Sequence, residues 1–378
     1  MAEELGQDFS AFAGERALGT RLPFDAEALE RWLASHIEGF AGPLAITQFN
    51  GGQSNPTYRL TTPAAAYVLR TKPAPAAKLL PSAHAIEREY RVMHALAATD
   101  VPVARMRALC EDEGVIGLAF YVMDFVEGRV LWDPSLPGMT PLERSAIYDE
   151  MNRVIAALHR VDYRAIGLES YGKPGDYMAR QIARWSKQYR ASETVPIDAM
   201  DRLIEWLPAH LPPHSPHTPE APERTTIVHG DFRLDNLIFH PSEPRVLAVL
   251  DWELSTLGDP LADFSYHCMA WHVSPGVFRG IAGLDWPSLG IPLEDVYIRR
   301  YSERTGIAPP AQWHFYLAYN MFRIAAILQG IMKRVSDGTA ASEQAMDAGR
   351  RARPMAELAW TYAQRAERLE GSDHSERS

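Results

Sequence analysis

Residues 226–239 read TIVHGDFRLDNLIF, and residues 246–253 read VLAVLDWE. Apolar Ile227 and Val228 run into a polar loop, and Leu237, Ile238 and Phe239 lead out of it. Charged residues squeezed between buried strands are costly unless they perform a task. Asp231 and Asn236 are five residues apart, so one short loop can aim both at a single ligand. Asp231 suits proton acceptance from a hydroxyl. Asn236 offers an amide oxygen, a hard donor of the kind that Mg2+ prefers. The second stretch is an apolar strand ending on Asp251. A hairpin between the two strands brings Asp251 back beside Asn236 as a second metal ligand, bridging ATP phosphates through Mg2+. Any one of these residues alone reads as a turn residue or a cap. The combined H-x-D-x-x-x-x-N spacing, followed by a strand ending in Asp, is the specific pattern.

Upstream of this stretch, residues 44–49, 57–61 and 66–71 alternate as strands do. The turn between the first two, Asn50-Gly51-Gly52-Gln53-Ser54-Asn55-Pro56, can lie over phosphates with its backbone N–H groups. Glycine permits the close approach. A helix capped by Asp25 precedes these strands, with Leu29, Trp32, Leu33 and Ile37 on one face. A second helix is expected over residues 83–98, and two further strands over 105–110 and 117–124. Strands, one helix, then strands predict a small, mostly antiparallel sheet with a helix packed on it.

Beyond Val126-Glu127-Gly128 the pattern is helical. Thr140-Pro141-Leu142-Glu143 forms a capping box with proline at the first helical position, opening a helix to about residue 159. Further helices are expected near 177–190, 198–210, 261–271, 293–305, 311–335 and 340–369. Residues 212–222, rich in proline and histidine, read as an exposed loop.

Composition narrows the function classes. The 378 residues are 46% hydrophobic and 23% charged, as in ordinary globular proteins. A net charge of -10 argues against nucleic-acid binding. Cys110 and Cys268, far apart in sequence, read as buried thiols in a reducing cytosol. The N-terminal MAEELGQDFS has no apolar core and is not expected to be a signal peptide. The longest strongly apolar run, near residues 115–123, is far too short for a membrane span of roughly 20 residues. A cytoplasmic protein without membrane or nucleic-acid partners is expected. The sequence sets no oligomeric state.

HGDFRLDN followed by LDWELSTLGDPLAD resembles the aminoglycoside phosphotransferase family, within the protein-kinase-like fold. The nearest branch is similar to the kinase-like domain of acyl-CoA dehydrogenase family members 10 and 11. The likeness runs from about residue 25 to 360. It implies an α+β, two-lobed fold, with a small antiparallel-sheet N-lobe, a larger mostly helical C-lobe and a hinge near residues 123–128. The expected divisions are a loose arm over 1–24, a nucleotide-binding lobe over 25–126, a helical lobe with catalytic loop and acceptor site over 127–370, and a frayed tail over 371–378.

The resemblance further implies Asp231 as catalytic base and Asn236 and Asp251 as Mg2+ ligands. His229 braces the catalytic loop, and Asp259 and Asp263 cap a helix and tie it to that loop. The family needs a cation on the third strand, and Arg70 takes the place where most kinases carry lysine, with Lys72 the alternative. Its carboxylate partner is Glu89, with Glu87 the alternative. Gly51, Gly52 and Ser54 cover the phosphates. The adenine lies at the strand containing Met123 and Phe125, where recognition is mostly through backbone. The expected reaction moves the γ-phosphoryl group of ATP to a hydroxyl of a small molecule. Glu253, His267 and Trp271 are candidate acceptor contacts, with His272, Tyr316, Tyr319 and Arg323 nearby. This aromatic and basic set suits a hydroxyacyl (CoA) metabolite better than a polycationic aminoglycoside. An amino alcohol held on Trp271 is an alternative. A nucleotide-binding interaction module without catalysis is the rival of another class, and the complete trio of base and two metal ligands argues against it. A protein kinase is disfavoured, because little chain separates Asp251 from Gly258-Asp259-Pro260.

Overall fold

The computed structural model describes residues 14–17, 24–50, 55–73, 85–212, 224–308, 312–338 and 343–376. The first elements are β1 (Glu15–Ala17), α1 (Ala26–His36), β2 (Ala45–Phe49), β3 (Thr57–Thr61), β4 (Ala66–Thr71), α2 (Ile86–Leu96), β5 (Met106–Cys110), β6 (Phe120–Asp124) and β7 (Arg129–Val130). Then follow α3 (Pro141–Arg160), α4 (Tyr177–Ser192), α5 (Asp198–Ala209), β8 (Thr226–Val228), β9 (Leu237–Phe239), β10 (Val246–Val249) and β11 (Thr256–Gly258). The chain ends in α6 (Pro260–Cys268), α7 (Trp286–Leu289), α8 (Glu294–Thr305), α9 (Trp313–Ser336), α10 (Glu343–Arg350) and α11 (Ala352–Glu376). The single helix expected over 340–369 is thus two. Residues 213–223, most of the expected proline-rich loop, lie outside the described residues.

The chain forms two compact units. The first holds residues 1–139, 146–171 and 233–255, and the second holds 140–145, 172–232 and 256–378.

In the first unit a six-stranded sheet has the order β1-β2-β3-β4-β6-β5, with every neighbouring pair antiparallel. Side chains alternate across a strand, so each strand divides its residues between two faces. Tyr58, Leu60, Tyr67, Leu69, Phe120 and Val122 take one face and pack with Leu29, Leu33 and Ile37 of the α1 segment. Asp25 caps α1 by accepting from Glu27 N and Ala28 N at 2.9 and 3.0 Å. The opposite parity puts Phe49, Thr57, Val68, Arg70, Tyr121 and Met123 on the other face, where they line a cavity. A smaller sheet, β10-β9-β7, completes the unit's strands. Gly128 is required beside it, because a Cβ there would lie 2.3 Å from the Phe239 carbonyl oxygen.

The second unit is mostly helical, with one small sheet of β11 and β8. Its core gathers α4, α5, α6, α9 and α11 around Trp185, Tyr189, Leu203, Phe322, Met355 and Ala359. The capping box is formed: Thr140 N donates to Glu143 Oε2 at 2.7 Å, and Glu143 N to Thr140 Oγ1 at 3.3 Å. Cys110 and Cys268 are free and buried. Among the described residues, no helix is long and apolar enough to cross a membrane.

Candidate active site

The hairpin in the first unit places Asn236 and Asp251 on facing strand ends. β9 and β10 pair antiparallel, with Val249 opposite Leu237. One step further, Leu250 N donates to Asn236 O at 2.8 Å. Asn236 ends a short 3-10 turn over Leu234–Asn236. Asp251 takes a left-handed backbone conformation, with φ 61° and ψ 61°. Such a conformation is uncommon for a residue other than glycine, and surrounding contacts must hold it. Trp252 Nε1 donates to Val249 O at 2.9 Å and pins the turn.

Arg70 is the electrostatic hub. Its parity on β4 turns it to the cavity face, opposite Thr57 and Tyr121. Its Nη2 donates to Asp251 Oδ1 at 2.9 Å. Its Nε lies 3.1 Å from Glu89 Oε2, and Nη2 lies 3.6 Å from Glu253 Oε2. Glu89 comes from α2 and is 2% exposed. It also accepts from Asn55 Nδ2 at 2.9 Å and from Tyr121 Oη at 3.0 Å. Burial pushes the Glu89 carboxyl up, and Arg70 opposes that shift. Burial and Glu89 push the Tyr121 phenol up, which keeps it a donor. Despite its burial, Arg70 is held charged by Glu89, Tyr121, Asp251 and Glu253. Lys72, two residues on, pairs with Glu87. Gly51, Gly52 and Ser54 lie outside the described residues.

The cavity above Arg70 has a volume of about 490 Å³ and lies wholly in the first unit. Arg70, Glu89, Asn236 and Asp251 line one part of it. Val68, Met123, Phe125 and Ile238 supply apolar wall. That volume and lining are typical of a small-molecule pocket. Phe125 N donates to Ala66 O at 3.1 Å, so β4 fixes the start of the segment after β6.

In the second unit, one face of α6 holds the loop that carries Asp231. Asp259 caps the helix through Leu261 N at 2.8 Å and accepts from Tyr316 Oη at 2.8 Å. Asp263 accepts from His229 N and Gly230 N at 2.7 and 2.8 Å. Tyr266 donates through its phenol to Asp231 Oδ1. His267 packs its ring edge-on to Phe232 at 5.4 Å. Buried Arg323 donates to the Gly230 carbonyl. His229 is fully buried, and its Nδ1 accepts from Asp231 N at 3.1 Å. Its side chain therefore shapes the loop.

The expected acceptor contacts fare differently. His267 and Trp271 are 5% and 2% exposed. His267 Nε2 meets Tyr297 Oη at 2.7 Å, and Trp271 Nε1 donates to Pro292 O at 2.9 Å. Burial pulls the His267 pKa down to about 4, so the ring is neutral near pH 7. Tyr316, Tyr319 and Arg323 are buried in the same way. As they stand, these side chains are interior packing of the second unit. Tyr266, Tyr121 and Asn55 carry no signal in the sequence that singles them out in advance. Tyr266 and His267 follow Asp263 at i+3 and i+4, the spacing that marks one helical face. Tyr121 stands directly across the ladder from Arg70.

Over residues 45–292 the chain matches the sequence model of the phosphotransferase enzyme family. The chain belongs to that family. It is 51% identical over 340 residues to mouse acyl-CoA dehydrogenase family member 10, covering 89% of this chain and 31% of the relative. The chain thus spans about a third to under half the length of the curated relatives it matches. Among solved structures of phosphotransferases, one from Ralstonia eutropha is 66% identical with a TM-score of 0.82. That alignment covers 90% of this chain and 99% of the other, a candidate aminoglycoside phosphotransferase. Choline kinase from Cryptosporidium parvum aligns over 93% of this chain and 97% of its own, with a TM-score of 0.61 and 12% identity, a likeness of fold alone. The fold is the protein-kinase-like α+β fold, with an antiparallel-sheet N-terminal region and a helical C-terminal part.

Proposed function

We propose that this phosphotransferase is a small-molecule kinase that uses Mg2+ and ATP and acts on a hydroxyl group. The observation that carries the reading is the β9–β10 ladder, in which Leu250 N donates to Asn236 O, so that Asn236 and the following Asp251 both line the cavity wall that also bears Arg70. An amide oxygen and a carboxylate form a hard-oxygen donor pair. Such a pair suits Mg2+, which completes its shell with phosphate and water oxygens. Among the described residues no group of three or more His, Cys, Asp or Glu forms a separate metal cage. Asn236 and Asp251 would hold the ion. The ion, when bound, neutralises charge on the phosphates.

The remaining work falls to the chain's own side chains. Arg70 attracts phosphate oxygens and is kept cationic by its carboxylate neighbours. The apolar wall near Met123 and Phe125 takes the base. Asp231 accepts a hydrogen bond from the acceptor hydroxyl and orients its oxygen for attack. Gly230 and His229, anchored on Asp263, fix the backbone from which Asp231 projects. Catalysis on this plan is mainly positioning and charge compensation.

A hydroxylated acyl thioester is the acceptor class we favour. The support is the mouse relative, whose name joins this region to an acyl-CoA dehydrogenase. The test is a screen of hydroxyacyl-CoA compounds, amino alcohols and aminoglycosides with Mg-ATP, read by the mass of phosphorylated product. Asp231→Ala should lower turnover by about 100-fold or more while nucleotide still binds, as expected for loss of a general base. Near-normal turnover by a folded Asp231→Ala protein refutes the assignment.

A further inference from the structure

β1 pairs with the edge of β2, with Glu15 opposite Phe49 and Ala17 opposite Thr47. The pairing puts Glu15 on the same sheet face as Phe49, and Gly14 and Glu15 both line the cavity. Asn50 N donates to Gly14 O at 3.1 Å and anchors the start of the strand. The Glu15 carboxylate is fixed at both oxygens. Thr47 Oγ1 donates to Oε2 at 2.5 Å, and Arg59 Nη1 donates to Oε1 at 2.9 Å. These contacts hold the Glu15 pKa below its ordinary value despite partial burial, so the group is ionised near pH 7. Arg59 in turn lies 4.2 Å from the ring centroid of Phe125. A chain of contacts therefore runs from β1 to the segment after β6.

An ionised carboxylate has about four acceptor sites, and two donors do not exhaust them. Glu15 and Arg70 stand on strands three steps apart in the sheet. They mark opposite ends of one cavity wall. The Arg70 end offers a guanidinium to phosphate, set among the carboxylates of Glu89, Asp251 and Glu253. The Glu15 end carries a carboxylate paired with Arg59, and its remaining acceptor positions suit neutral hydroxyl donors. Phe49 on β2 and Thr57 on β3 lie between them, and Val68 and Met123 on β4 and β6 extend the apolar part of the lining. We infer that Glu15 is a nucleotide-specificity residue, whose carboxylate accepts from the ribose hydroxyls of the bound nucleotide.

This inference rests on the nucleotide reading of the cavity, and the experiment separates the two. ADP and 2′,3′-dideoxy-ADP are titrated by calorimetry into the wild-type chain, Glu15→Ala and Glu15→Gln. A hydrogen bond to a charged acceptor corresponds to roughly a tenfold change in affinity. Wild type should bind ADP about tenfold more tightly than the dideoxy compound. Glu15→Ala should bind ADP about tenfold more weakly and the dideoxy compound as wild type does, so that the preference disappears. Equal wild-type affinities for the two nucleotides overturn the inference, as does a preference that survives in Glu15→Ala. Should Glu15→Ala fail to fold, the wild-type comparison and Glu15→Gln decide: a tenfold wild-type preference that Glu15→Gln reduces supports the inference, and an undiminished one overturns it. Wild type binding neither nucleotide removes the nucleotide reading itself.

Discussion

Replacing Arg70 with methionine isolates the charge at the hub. The stem keeps its apolar length and loses the guanidinium. Three carboxylates then face a neutral side chain: Glu89, Glu253 and Asp251, whose side chains are 2%, 16% and 35% exposed. Asp251 keeps access to water, so the cost concentrates on Glu89. Asn55 and Tyr121 still donate to it, but neither carries charge. Removing one partner of a buried ion pair costs about 3–5 kcal/mol. Burial already raises Glu89, and the lost cation removes the main opposing effect. A carboxyl whose folded pKa lies above its unfolded value gives stability below the unfolded pKa and loses it as pH rises through the folded pKa. The deficit should therefore be largest near pH 8 and smaller near pH 5, by about 1.4 kcal/mol for each tenfold gain in the proton affinity of Glu89. Urea unfolding of wild type and Arg70→Met at both pH values measures this. Adding Glu89→Gln to Arg70→Met should recover at least half of the loss at pH 8. A loss below about 1 kcal/mol, set against the expected 3–5 kcal/mol, refutes the reasoning. So does a larger loss that is equal at both pH values and not rescued by Glu89→Gln.

Two further outcomes follow from burial and close approach. His267, neutral with a pKa near 4, should make the chain less stable as pH falls from about 6.5 towards 4, because the unfolded ring takes up the proton first. The full effect is about 3 kcal/mol, and His267→Gln should flatten the pH dependence of the urea midpoint by that amount. Gly128→Ala drives a Cβ against the Phe239 carbonyl and Ile238 Cγ2, at 2.3 and 2.5 Å. It should cost about 1–3 kcal/mol and weaken ADP binding, since Gly128 and Ile238 both line the cavity; unchanged thermal unfolding would contradict that geometry.

The parts of the fold written in period and punctuation were legible in sequence. Leu29, Leu33 and Ile37 marked α1, and the period-2 runs marked β2, β3 and β4, because burial on one face repeats with the element itself. The antiparallel pairing of β9 and β10 was also legible, since two apolar runs are joined by a short turn. The aromatic and basic residues of α6 and α9 were not separable in this way. A buried histidine bonded to a tyrosine and a ligand-facing histidine have the same letter and the same spacing. Only the partners, Tyr297 for His267 and Pro292 for Trp271, distinguish them. β1 escaped notice because three residues, Glu15–Ala17, carry too little alternation to register. Its place depends on the exposed edge of β2, a partner distant in sequence.

The face of α6 that carries Asp263, Tyr266 and His267 constrains how this chain can change in length. Each of the three meets a different point of the loop over residues 229–232, and all depend on one rotational setting of the helix. Exchange of a single side chain removes one tether and leaves the others aligned. Insertion or loss of one residue between Pro260 and Asp263 turns the whole face by about 100° and moves all three away together. Length variation among descendants of this sequence should therefore collect in the connections between helices, and α6 should drift in composition while keeping its residue count.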